Sequence, residues 1–495
     1  MAAPRCDLII RDASIIDGTG APRFRGDVGV TGDRITAVGD LGASSADREV
    51  MAEGRILAPG FIDAHSHDDQ IVLCGAECML CKLSQGVTTV VVGNCGISLS
   101  PARLNNPPAP LGQVCSPEWW IFDSFAEYRE RLEREVPAVN TLALIGHMSL
   151  RLEAMEGDVA RAATDREAER MRRRLAEALR QGAAGLSTGL FYPPSNAAPT
   201  DEVIAVAEAL RETGGLYVTH MRNEADGVLD SIEETLKIGA AVGAPVVISH
   251  HKCAMPENHG RSHETLSRIE EASRRQSVAF DVYPYTAAST SLSARKPRPD
   301  VPVQITHSGP HPETAGRMLA DVATEWGVGL DEAVARLLPA GGIFHSMAEE
   351  DVRRIMSHPL SMIGSDGGAL AKSPHPRLWG TFPRVLGHYA RDLGLFSLET
   401  AVHKMTGRPA QVFGIVDRGE IRPGAFADLV LFDAGQVRDT ATFADPQRSA
   451  DGILKTWVNG QSSYVHGEGV TGARAGKLIE RAGGTLPLRT SPPGG

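Results

Sequence analysis

Cysteine is scarce in this chain: seven residues in 495, an odd number that does not describe a disulfide framework. No apolar run approaches the ~18 residues that a bilayer span requires, which argues against a membrane helix. Positive charge is not in excess either. Fifty Lys and Arg against 61 Asp and Glu give a formal net charge of −11, which speaks against indiscriminate binding to nucleic acid or anionic membranes. An acidic protein that handles an anionic substrate must do so with a few local cations. The opening stretch, Met1 to Asp7, meets a charge before any apolar segment builds up. No signal peptide is expected, and the expected compartment is the reducing cytoplasm. What is present is an ordinary globular balance, 42% hydrophobic and 22% charged, which excludes a disordered scaffold and a collagen-like fibre. At ~150 residues per domain the length allows about three domains, or one large barrel with appendages.

Both chain ends read as short strands broken by Gly and Asp. Leu8–Ile10, Ser14–Ile16, Val28–Val30 and Arg34–Val38 at one end match Ala427–Asp433 and Thr456–Gly460 at the other. Neither end makes a comfortable core alone, so 1–60 and 415–480 are expected to pack together as one small β-sandwich. The tail Ser491–Gly495 is expected to fray. Between the ends, apolar runs alternate with helical patterns. Thr164-Asp165-Arg166-Glu167 is a capping box opening a helix to about Arg180. Further helices are expected after Thr200 and over about 225–240, 263–275 and 313–325. Eight apolar runs end near His65, Cys95, His147, Thr188, His220, His250, Tyr283 and Asp366. Eight β-runs with intervening helices predict an α/β fold, a (β/α)₈ barrel over 61–414, with its site at the C-terminal strand ends. The spacing breaks once: Tyr283 and Asp366 lie 83 positions apart, against 30 between His220 and His250. An insertion over 285–345, between strands seven and eight, suits a lid and carries the cations Arg295, Lys296 and Arg298.

Chemistry concentrates at the strand ends. In Asp63-Ala64-His65-Ser66-His67 the two histidines alternate along an extended strand and can face one ion. His220 and His250 also end apolar runs, and Gly93-Asn94-Cys95-Gly96 ends another, so four histidines and one cysteine make a zinc site plausible. Asp366, in Gly364-Ser365-Asp366-Gly367, becomes a candidate general base for an activated water. Rival patterns are present. Gly185-Leu186-Ser187-Thr188-Gly189 matches a serine-hydrolase elbow, but Tyr192-Pro193-Pro194 is poor material for the helix that must follow. Cys78-x-x-Cys81 lacks a second pair and reads as core thiols on a helix. Asp68 and Asp69 read as a solvated loop or a helix cap, His147 as a structural histidine or a mouth residue, and Arg222 as a structural ion pair.

The His65-x-His67 strand, the later His220 and His250, and the terminal Asp366 resemble the amidohydrolase superfamily, which carries a flanking β-sandwich built from both chain ends. Many members place a carboxylated lysine on strand four, where this chain has Gly185-Leu186-Ser187-Thr188. The segments Gly93–Ser98, Ser249-His250-His251-Lys252, Gly364–Gly367 and Pro374–Gly380 instead resemble the N-acyl-D-amino-acid deacylases, over nearly the whole chain. The resemblance implies zinc-dependent hydrolysis of the amide of a small-molecule N-acyl-D-amino acid. It assigns Cys95, His220 and His250 to a tightly bound zinc, and His65 and His67, with Cys95 and Asp366, to a second, weaker site. Asp366 would be the general acid/base and Tyr192 would polarise the amide carbonyl. Lys252, Tyr283 and Arg377 would receive the α-carboxylate, a role that suits a bidentate Arg and a point-charge Lys. Ser289 joins the substrate-binding set, and Arg295 and Lys296 on the lid leave acidic D-Glu or D-Asp substrates open beside apolar ones. Two other readings stay open: a cyclic amidase, and a non-catalytic metal-binding barrel.

Overall fold

The computed structural model describes residues 5–483. The expectation for Ser491–Gly495 lies outside the described residues. Eight short parallel strands form the barrel wall. In chain order they are Phe61–Asp63, Val87–Val92, a third strand in two pieces (Asn140–Ala143 and Ile145–Gly146), Gly185–Gly189, Leu216–His220, Val246–Ile248, Val278–Val282 and Ser361–Ile363. The third strand pairs with the second through its first piece and with the fourth through its second piece. Closure runs from the first strand to the eighth, where Ala64 N donates to Ile363 O at 3.2 Å. All eight strands are buried on both faces, as a parallel sheet covered by helices requires. The capping box stands as read: Thr164 and Glu167 exchange side-chain and backbone bonds and open the helix Asp165–Arg180.

Both chain ends enter one nine-stranded sheet, in which Ile56–Pro59 pairs with Leu429–Phe432 and joins the N-terminal strands to the C-terminal ones. The strands thus share hydrogen bonds as well as packing. Leu8, Ile10, Ile15, Val28, Val30, Leu429, Leu431 and Trp457 form a core of their own beside the barrel. The insertion after the seventh strand folds as a three-stranded antiparallel sheet of Ala288–Ser291, Val303–Ser308 and Ala340–Phe344. The helices Leu319–Glu325 and Leu330–Leu337 pack on it around Leu292, Ile305, Val322 and Leu337. Its residues Ser289, Thr306, His307 and Gly341 line the same cavity as Asp366, which sets the insertion over the mouth.

Candidate metal centre and active site

The barrel's closure sets the first ligands side by side. Asp366 N donates to His65 O at 2.8 Å and His67 N to Gly367 O at 3.0 Å, which holds the H-x-H strand against the Asp366 turn. Behind them lies a wholly buried ionic network. Lys82 Nζ donates to Asp63 Oδ2 at 2.7 Å and to Ser365 Oγ at 2.8 Å, and lies 3.2 Å from Asp68. Asp68 and Asp69 are therefore buried (0 and 2% exposed), contrary to the solvated loop expected, because Lys82 and the backbone around Gly93 receive them.

Cys95 sits in a left-handed turn, φ 54°, between Gly93 at 79° and Gly96 at 78°. A Cβ on Gly93 would come within 2.1 Å of Leu144 O, so the Gly-Asn-Cys-Gly turn admits no side chain there. Asn94 Nδ2 fastens the turn to Val91 O at 2.9 Å and Ser66 O at 3.2 Å. The thiol is thereby brought 3.3 Å from His65 Nε2 and 3.4 Å from His250 Nε2.

Two sets of side chains can each hold an ion, with ligand atoms within 4.8 Å of one another. They are Cys95, His220 and His250, and His65, His67, Cys95 and Asp366, so Cys95 belongs to both. Burial pushes His65 down to about 3 and lowers His220 and His250 as well, so these imidazoles are neutral, the form a metal needs. Their outer nitrogens are largely served. Asp281 faces His65 Nδ1 at 3.4 Å and Glu224 faces His250 Nδ1 at 3.0 Å, the carboxylate backing that directs Nε2 toward a metal. Among the described residues His220 has no hydrogen-bond partner on either nitrogen, with the Glu224 carboxylate 3.6 Å from its Nε2. Burial and then the charge of Asp366 push the Cys95 thiol well above its ordinary value, and a cation is what would release its proton. A buried thiol, neutral imidazoles and an orphaned ring fit zinc.

Burial alone would raise Asp366, but the Arg377 guanidinium, then His250, outweigh it and hold the carboxyl well below the usual range. Arg377 Nη2 lies 2.8 Å from Asp366 Oδ2, while among the described residues its Nε and Nη1 are buried without hydrogen-bond partners, as is the Tyr283 hydroxyl. Lys252 and Arg377 both stand against the Tyr283 ring, at 5.6 and 4.6 Å from its centroid. The three residues expected to receive a carboxylate are therefore together. Lys252 is already engaged, however, with Nζ 2.5 Å from Glu224 and 2.7 Å from His250 Nδ1. Tyr192 accepts from Thr290 Oγ1 at 3.2 Å, and its ring lies 4.9 Å from that of His220. Burial, then Cys95, raises its phenol, so it remains a donor. Ser289 lines the cavity, and its carbonyl is 3.4 Å from Arg377 Nη2.

The lid cations separate. Arg295 reaches inward, 3.5 Å from Glu224 and 5.0 Å over the Phe191 ring. Lys296 does not: its side chain is 81% exposed and faces Asp331 at 3.8 Å, so the strand-like turn at this point splits the pair. Arg298 is held by Asp300 and Glu257 at the surface. The serine motif is the fourth strand itself. Ser187 Oγ bonds the Gly93 carbonyl and accepts from Gly96 N, so it is not an exposed nucleophile. Cys81 is buried and Cys78 exposed, and Arg222 pairs with Glu234 at 2.8 Å. His147 is buried at the head of a helix, 3.7 Å from Glu202. Sequence reasoning missed Glu224 and Asp281. The available signals were a carboxylate four residues after His220 and one inside the apolar run Val278–Val282.

A barrel with neutral imidazoles, a thiol and a carboxylate at its strand ends defines the class: a barrel hydrolase of the metal-binding kind. The amidohydrolase family model matches residues 48–279 and 331–464, passing over most of the lid. A D-aminoacylase from Alcaligenes xylosoxydans xylosoxydans is 49% identical over 96% of this chain and 98% of its own. A solved D-aminoacylase superposes with a TM-score of 0.94 at 48% identity, over 96% of this chain and all of its own; it is described by a binuclear metal centre with one-metal activation and second-metal attenuation. The N-acyl-D-glutamate deacylase of Bordetella bronchiseptica, solved with zinc and a phosphonate mimic of the tetrahedral intermediate, superposes with a TM-score of 0.91 at 44% identity, over 96% and 100% of the two chains. The chain belongs to the amidohydrolase family, in its N-acyl-D-amino-acid deacylase branch, and is a hydrolase.

Proposed function

We propose that this enzyme removes the acyl group from N-acyl-D-amino acids, giving a carboxylate and a free D-amino acid, with zinc held by Cys95, His220 and His250. The observation that carries the reading is the junction at Asp366. One of its oxygens lies 3.5 Å from His65 and 3.2 Å from His67, and the other is paired with Arg377, whose buried Nε and Nη1 have no hydrogen-bond partner among the described residues. The residues for hydrolysis thus adjoin the residues for an anionic substrate. A bound zinc would supply Lewis acidity for the amide carbonyl and bring the pKa of a water ligand down to about 7.

The chain's own groups do the rest. Arg377 Nε and Nη1 and the Tyr283 hydroxyl receive the α-carboxylate, with Lys252 adding charge from beside the Tyr283 ring. Tyr192 donates its hydroxyl toward the amide oxygen. Asp366, ionised because Arg377 holds it so, accepts the proton of the attacking water and delivers it to the departing amine nitrogen. His65 and His67 complete a second, weaker ion site that shares Cys95 and Asp366. With an ion held there Asp366 would be less able to transfer protons, in keeping with the second-metal attenuation described for the solved D-aminoacylase. A cyclic amidase is disfavoured, because a neutral ring needs no Arg377–Tyr283 receptor.

The test is Asp366→Asn. Turnover should fall about 10²–10⁴-fold, the usual weight of a general acid–base group, with one zinc per chain retained. Near-normal turnover in this variant would refute the role of Asp366.

A further inference from the structure

The barrel strands have a second end, and beneath the seventh and eighth it opens on a cavity of about 400 Å³. Lys404, His403 and Arg408 line it together with Ser273, Gln276 and Thr400. This is the face opposite the metal centre. Val278, in its wall, starts the strand that leads to Tyr283, about 16 Å away at ~3.3 Å per residue.

Lys404 is 4% exposed, on the helix Leu398–Met405. Its ammonium donates to His358 O at 2.6 Å and Ser361 Oγ at 2.8 Å, both neutral acceptors. Among the described residues it forms no ion pair, and the one charge that bears on it is a second cation, Arg408. Burial, with Arg408 behind it, pulls the amine down to about 7. His403 donates Nδ1–H to Gly18 O at 2.8 Å and feels both cations, with Glu420 the acidic group on its side. A lysine that merely filled this space would do so at lower cost as methionine, since a buried charge without a counter-charge is unfavourable. An arriving anion would supply the missing charge, and hydroxyl and amide groups already surround the place it would take.

We propose that this cavity is an anion-binding site for a small molecule carrying a phosphate or carboxylate group, gripped by Lys404 and Arg408. The site is independent of the deacylase reaction. Its occupant ties the helix Leu398–Met405 to Ser361, at the foot of the strand whose far end presents Asp366.

The experiment is calorimetric titration and thermal unfolding of the zinc-loaded enzyme with inorganic phosphate in one arm, acetate in another and chloride at matched ionic strength as reference. Phosphate or acetate should bind in the millimolar range or tighter, and the arm that responds names the group. At hundredfold excess over Kd the unfolding midpoint should rise by roughly 3 °C. Lys404→Met should weaken this binding by about tenfold or more, and Arg408→Gln should weaken it too, both with kcat/KM unchanged. Phosphate captured by the metal instead would compete with substrate and survive both substitutions. If Lys404→Met fails to fold, Arg408→Gln decides. Absence of binding to the wild type, or binding indifferent to the variants that fold, overturns the proposal.

Discussion

Three residues of the site, Cys95, His250 and Asp366, have φ of 54°, 37° and 49°, a region that side chains with a Cβ seldom occupy. Each such residue costs on the order of 1–3 kcal/mol. Each lies two or three residues past the end of a buried barrel strand, in the turn that carries its side chain to the site. Specificity is also settled residue by residue. Arg295 is the lid cation that points inward, and it stands beside Glu224, whereas Lys296 faces out. Arg295 is therefore the residue we propose to meet an acidic substrate side chain. Arg295→Met should lower kcat/KM for N-acetyl-D-glutamate about tenfold relative to N-acetyl-D-leucine, the weight of one partly screened charge contact. Lys296→Met should leave that ratio unchanged. Equal losses on both substrates in Arg295→Met would remove Arg295 from side-chain recognition.

At the scale of elements, the ends of the first and eighth strands are held together by ions rather than by oil. Lys82 joins Asp63, Asp68 and Ser365, all fully buried. Lys82→Met would leave two carboxylates without their counter-charge, and unfolding experiments should show a loss of about 3–5 kcal/mol. A stability within 1 kcal/mol of the wild type, ~RT-scale noise apart, would mean the network is dispensable. The helix Leu398–Met405 gives a pH signature. The folded-state value of Lys404, about 7, lies below the usual 10.5, so the unfolded chain binds more protons between those values. Stability contributed here is lowest below pH 7 and rises as the pH climbs toward 10.5, by an amount on the order of a few kcal/mol. In buffer free of phosphate and carboxylates, Lys404→Met should flatten that rise, and an unchanged slope would contradict it. Elements with a repeating pattern were legible in the sequence: the apolar runs gave the strand ends, and Thr164 with Glu167 gave a helix start. Lys82, Asp68, Glu224 and Asp281 were not. A charged residue near a loop reads as solvated, and the partner that buries it can stand far off, as Ser365 does from Lys82, 283 positions away.

For the whole molecule, the order of the parts follows from the order of the pattern. Strand-rich ends meet in one sheet, the alternating middle closes as a barrel, and the long gap before Asp366 becomes a lid with its own core. The lid carries its own core, and the family model passes over 280–330. Substrate handedness belongs to this scale, because in the proposed reaction it depends on where the Arg377–Tyr283 receptor lies relative to the metal ligands, a distance that no single run of sequence contains. In the proposed reaction that receptor, the zinc ligands and Asp366 act together. Its most direct test is hydrolysis of paired N-acetyl-D- and N-acetyl-L-amino acids, spanning apolar and acidic side chains, with zinc quantified in the same preparation. Turnover of the D series should rise and fall with zinc content, with little on the L series. Equal turnover of both series, or D-selective turnover by enzyme stripped of zinc, would contradict it.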